Sequence, residues 1–95
     1  MATATNSGFS SEIINIAVTS GGWTALVLTK SPNNMLIRLR EIGDLQVSLD
    51  SAGTTYFTIP DGTSLTYDWN AGKQGNILYL KGSVSGNAEV IVTYE

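Results

Sequence analysis

The chain contains no cysteine and no histidine, and each absence removes a class of chemistry. Without cysteine there are no disulfides and no thiolate metal sites, so stability has to come from core packing or from association with other chains. The lack of cysteine is compatible with any redox compartment. Without histidine, a Ser or Thr nucleophile lacks its usual base, and no Ser-x-x-Lys motif supplies a substitute. Zinc loses its usual ligands, and no Asp-x-Asp-x-Asp spacing offers a calcium loop. The glycines of Gly72-Lys73-Gln74-Gly75 are not followed by a helical pattern, so that stretch reads as a hairpin loop and not as a phosphate cradle. No cofactor, metal or catalytic residue is expected.

Charge is also scarce. Charged residues make up 14% of the 95 positions, against about 25% in an average globular protein. Ser, Thr, Asn and Gly fill the gap. A surface of this kind either relies on neutral polar groups or is partly covered by neighbouring subunits. The net charge of −3 works against long-range attraction to nucleic acid, and the one basic cluster, Arg38 and Arg40, is too small for a nucleic-acid footprint. No apolar run approaches the roughly 20 residues that span a membrane. The first residues have neither the basic start nor the apolar stretch of a signal peptide. The expectation is synthesis and assembly inside a cell, with no nucleic-acid or membrane partner.

What the chain does contain is a series of short strand patterns separated by turn signals. Residues 1–10 are small, polar and aperiodic and read as an N-terminal arm; residues 11–95 read as one domain. Strand candidates fall at 11–19, 23–29, 34–40, 44–50, 55–59, 63–69, 76–82 and 87–94. Between them stand Ser20-Gly21-Gly22, Ser31-Pro32-Asn33-Asn34, Gly43, Ser51-Ala52-Gly53, Pro60-Asp61-Gly62, Asn70-Ala71-Gly72 and the stretch from Gly82 to Asn87. Each supplies a fixed φ or a residue tolerant of positive φ. No segment keeps helical periodicity over three turns. The expected fold is all-β, a single antiparallel β-sandwich of seven or eight strands, with a jelly roll or a small barrel as alternatives. Asp44, Asp50, Asp61 and Asp68 all fall at strand ends or turns, where Asp is favoured because its side chain bonds nearby amides.

Placing apolar residues on a common face registers three hairpins. The first pairs Leu39 with Leu45, Ile37 with Val47 and Met35 with Leu49, closes through Glu41-Ile42-Gly43 with Gly43 in an αL bulge, and sets Arg40 near Asp44 on the wet side. The second pairs Ile59 with Leu65, Phe57 with Tyr67 and Thr55 with Trp69. The third pairs Leu80 with Val90 and Leu78 with Val92. Its other face then carries Lys81 with Glu89, Tyr79 with Ile91 and Ile77 with Thr93. Ile77, Tyr79 and Ile91 would together point away from the core, either into a second buried layer or toward a partner. The candidate interface therefore comprises Ile77, Tyr79 and Ile91, with Trp23 at a strand start and Phe9 in the arm. Trp23 and the exposed tyrosines also admit another use, stacking on sugar rings.

Three stretches carry a family resemblance: Ile59-Pro60-Asp61-Gly62-Thr63-Ser64-Leu65, Ile77-Leu78-Tyr79-Leu80-Lys81-Gly82-Ser83 and Val90-Ile91-Val92. They resemble small β-sandwich virion proteins of tailed bacteriophages, in which a Pro-x-Gly-Thr-Ser turn is followed by a Leu-Tyr-x-Lys-Gly strand and a final Val-rich strand. The resemblance implies a non-enzymatic virion component of the capsid decoration (cement) type. Such a protein would be assembled in the host cytoplasm, would form homo-oligomers, and would bind the major capsid protein or other virion proteins through sheet surfaces and the arm. The alternatives are a carbohydrate-binding module and a tail or adsorption accessory protein that uses surface aromatics.

Overall fold

A computed structural model describes residues 11–28, 34–68 and 76–94. The arm at 1–10, with Phe9, and the expected partner Trp69 lie outside the described residues. Eight strands run in chain order: β1 (Ser11–Val18), β2 (Thr24–Val27), β3 (Asn34–Leu39), β4 (Leu45–Ser48), β5 (Tyr56–Ile59), β6 (Ser64–Asp68), β7 (Ile77–Gly82) and β8 (Gly86–Thr93). Each overlaps its expected segment, with ends that coincide or differ by at most two residues. The described residues contain no helix.

The strands form two antiparallel four-stranded sheets, β1-β8-β3-β6 and β2-β7-β4-β5. The ladders β1–β8, β2–β7, β3–β6 and β4–β5 are those of one long antiparallel ribbon folded back at the β4–β5 turn. Wrapping that ribbon brings β3 onto β8 and β4 onto β7, which completes both sheets. This is the jelly-roll order, so of the alternatives open from sequence the jelly roll is the one formed.

The wrapping overturns all three expected hairpins. β3 and β4 lie in opposite sheets, and so do β5 and β6, and β7 and β8. Leu39, Ile37, Leu45 and Val47 are all buried, as alternation requires, but the first two belong to one sheet and the last two to the other. They meet across the core and not along a ladder. A two-residue period reports which face a side chain takes and carries no information on the neighbouring strand. The β3–β4 connection also departs from the expected bulge: Gly43 has φ 152°, outside the αL region, with its N–H donating to Asp61 Oδ1 at 3.0 Å. Among consecutive strands only β4 and β5 pair as a hairpin, with Leu45 opposite Ile59 and Val47 opposite Phe57.

The core draws on both inner faces: Met35, Ile37, Leu39, Val90 and Val92 from the first sheet, and Leu26, Leu45, Val47, Leu78 and Leu80 from the second. Each buried Leu, Ile or Val side chain contributes about 1.5–3 kcal/mol. Three residues placed on inward faces are exposed, Thr55 just before β5 among them. Leu49 follows the end of β4 and is exposed, and Phe57, although its parity points inward, is exposed on edge strand β5.

Candidate interaction surfaces

The two outer faces differ sharply in chemistry. On the first sheet, register aligns Ile13, Ile91 and Leu36 in one row across β1, β8 and β3. Ile13 is 72% exposed and Ile91 45%. The next row holds Asn15, Glu89 and Arg38. Glu89 sits between two arginines, with its carboxylate 3.2 Å from Arg38 Nε and 2.8 Å from Arg40 Nε. Arg40 also donates to Asn15 Oδ1 at 3.1 Å. Glu89 thus replaces Asp44 as the partner of Arg40. The expected Lys81–Glu89 pair is absent as well, because β7 and β8 lie in different sheets. Exposed pairs of this type are worth about 0–1 kcal/mol each, but they hold water on this face and are costly to cover unmatched.

The outer face of the second sheet is nearly free of charge. One row runs Ala25, Tyr79, Ser48, Tyr56 across β2, β7, β4 and β5, and Val27 pairs with Ile77 beside it. Val27, Ile77 and Tyr56 are exposed. Lys81 is the one charged side chain in the strands here, and its Nζ stands over the Trp23 ring at 5.7 Å from the centroid, a cation–π contact. The Trp23 ring also meets Tyr56, with centroids 5.9 Å apart and planes tilted by 50°. A β-carbon at Gly53 would overlap the indole, so the ring rests directly on the glycine backbone of the β4–β5 turn.

That turn is built to receive it. Gly53 N–H donates to the Asp50 carbonyl at 3.1 Å, and Gly53 has φ 65°. Ser48, the buried polar residue beneath, donates its hydroxyl to the Thr55 carbonyl at 2.8 Å and accepts from Asp50 N–H at 3.1 Å. Asp50 Oδ1 accepts from Thr54 N–H at 3.0 Å. Trp23 is therefore half-buried and committed to Gly53, Tyr56 and Lys81, which leaves little open ring for a sugar.

The structure thus divides the expected interface. Ile77, Tyr79 and Trp23 belong to the outer face of the second sheet, whereas Ile91 lies on the opposite side of the sandwich. Sequence reasoning missed Ile13 and Val27 as outward-facing apolar residues. A signal was present in the consecutive apolar pairs Ile13-Ile14 and Leu26-Val27: adjacent residues in a strand take opposite faces, so one of each pair has to point outward.

The carboxylates at the loop end are occupied in backbone bonding. Asp44 Oδ1 accepts from Asp61 N–H at 2.9 Å, and the Ser83 hydroxyl accepts from Asp44 N–H at 2.9 Å. The Glu41 carboxylate accepts from Asn87 N–H at 2.7 Å. That bond is the main reason the Glu41 pKa lies below the ordinary value, with neighbouring Arg40 adding to it. Among the described residues no group of three or more Asp or Glu side chains could hold a metal ion.

A pH dependence follows from Glu41. Its folded pKa is depressed, so its contribution to stability is fully present above the unfolded glutamate value and is lost as pH falls through the folded value. In thermal melts across pH, Glu41→Ala should lie below the wild type at neutral pH and converge with it in acid. Parallel curves at all pH values would mean that the charge of this carboxylate plays no part.

No protein-family model matches the chain, and neither a curated protein nor a solved structure shows significant similarity to it.

Proposed function

We propose that this chain is a non-enzymatic structural protein that docks on a larger protein shell through the outer face of its second sheet, in the manner of a phage capsid decoration protein. The observation that carries the reading is the composition of that face. Val27, Ile77, Tyr79 and Tyr56 lie together on three of its strands, and the single strand-borne charge, Lys81, is already engaged by Trp23. Covering a sheet face of this kind involves one cation, Lys81, already held over the Trp23 ring, whereas the first sheet would have to bury Arg38, Arg40 and Glu89.

Size supports the same reading. The molecule measures 37 × 33 × 19 Å, so a broad face offers up to about 1,200 Å², above the roughly 800 Å² per partner of a standard interface. The phage shell as the partner rests on the resemblance of the three C-terminal stretches to small virion proteins. Use of the aromatics for a glycan is less well supported, because Trp23 packs against three neighbours.

The test is co-sedimentation with heads of the phage whose genome carries the gene. Wild-type protein should pellet with the shells, and Ile77→Asp and Tyr79→Asp should stay in the supernatant while retaining the wild-type circular dichroism spectrum. Shell binding that survives both substitutions, or no shell binding by the wild type, would remove the reading. Binding on a glycan array that is lost in Trp23→Ala would replace it with the carbohydrate reading.

A further inference from the structure

We infer that β1 is the pairing edge for a second copy of this chain, joined antiparallel across a twofold axis so that two four-stranded sheets become one of eight strands. β1 ends the order β1-β8-β3-β6, and none of the described residues pairs with its outer side. It spans eight residues, against four in edge strands β2 and β5 and five in β6. It pairs with β8 without a bulge from Ser11–Thr93 to Val18–Gly86. Its free side is therefore a regular row of backbone donors and acceptors.

Exposed edges are normally blunted by lysine, proline, a bulge or an inward charge. β1 has none of these on the stretch Ile13 to Val18. Its one charge, Glu12, stands near the start of the strand, where the carboxylate accepts from Tyr94 Oη at 2.7 Å. An edge of this type is complemented by another extended strand.

The sequence of β1 identifies that strand as its own copy. In a twofold antiparallel pair, residues equidistant from the axis face each other on the same side of the sheet. With Asn15 on the axis, Ile14 faces the partner's Ile16 on the core side, and the converse pair forms by symmetry. Ile14 and Ile16 are half-buried and already pack on the core, so each covers the other's remaining exposed surface. On the outer side Ile13 meets the partner's Ala17, which prolongs the apolar row Ile13–Ile91–Leu36 into the next subunit. Moving the axis to Ile14 instead sets Glu12 against Ile16 and Ile13 against Asn15, which breaks both matches. The Asn15-centred register joins seven residues of each strand, with Glu12 facing the partner's Val18 only at the two ends, a contact at the low end of interface sizes, so the dimer depends on concentration.

This inference does not rest on the shell-docking reading. It concerns the edge of the other sheet, and a chain that dimerises without binding shells loses only that reading. The experiment uses the full chain. Sedimentation should show a monomer–dimer equilibrium, and hydrogen exchange at β1 amides should slow as concentration rises. Under mild oxidation Asn15→Cys should form a covalent dimer at least tenfold faster than Ile13→Cys or Thr58→Cys, because directly opposed β-carbons lie about 4.5–5.5 Å apart. Ile13→Cys mixed with Ala17→Cys should cross-link as a heterodimer. A chain that stays monomeric at all concentrations overturns the inference. So does a dimer in which Asn15→Cys oxidises no faster than Thr58→Cys, or one in which β1 amides exchange at a rate independent of concentration.

Discussion

Leu78→Asp is expected to leave no cooperatively folded protein. Leu78 is 1% exposed near the start of β7, opposite Leu26 on the inner face of the second sheet. Loss of the leucine packing costs about 2–5 kcal/mol. The carboxylate that replaces it would be buried without a partner, which adds several kcal/mol more or forces it to take up a proton. A domain of this size has about 5–14 kcal/mol of stability in total. The combined loss takes up most or all of it.

The neighbouring position supplies the control. Ile77 is 42% exposed and points away from the core, so Ile77→Asp should melt cooperatively with a loss within about 1 kcal/mol, typical of a surface change. Chemical denaturation of both variants, followed by circular dichroism, measures the contrast. Equal destabilisation by the two substitutions would mean that the Ile77 face is internal, and the docking surface would be lost with it.

The second large effect is expected at Gly53. Its φ of 65° lies in the left-handed region, where a side chain costs about 1–2 kcal/mol. A β-carbon there would also overlap the Trp23 indole, so Gly53→Ala has to push the ring off the turn and away from Tyr56 and Lys81. The total loss should be on the order of 3 kcal/mol, the backbone strain plus the displaced aromatic contacts. The near-ultraviolet circular dichroism of the indole should change with it. Gly62 separates the two terms: its φ is 78°, but nothing lies within 4 Å of its would-be β-carbon. Gly62→Ala should therefore show the backbone cost alone. If both variants lose the same stability and the indole signal is unchanged, Trp23 is not seated on Gly53.

These two positions also show how much could be read from the chain itself. Leu78 as a core residue follows from its alternation with Tyr79 and Leu80, a local property that any strand pairing preserves. The turn at Ser51-Ala52-Gly53 follows from its residue types. The seating of Trp23 on that turn does not, because the two segments are far apart in sequence and meet only once β2, β7, β4 and β5 lie side by side. The split of Ile77 and Tyr79 from Ile91 was hidden for the same reason: it depends on whether the Ser83–Ser85 connection closes a hairpin or crosses the sandwich.

The sequence alone determined where the strands lie, where the turns fall and most of the side chains that face inward, since alternation and turn chemistry act within a few neighbouring residues. It also bounded the chemistry, because a chain without cysteine or histidine has few ways to build a catalytic centre. Only the tertiary structure decided which strands are neighbours, and with that which outward side chains share a surface. A connection as short as 40–44 can either turn back within a sheet or cross the roughly 10 Å to the facing one, and both routes keep the same residues buried. The choice is made when the ribbon wraps and β3 meets β8 while β4 meets β7. That step separated an apolar, nearly uncharged face from one crossed by an ion cluster, and left β1 at the edge of its sheet among the described residues.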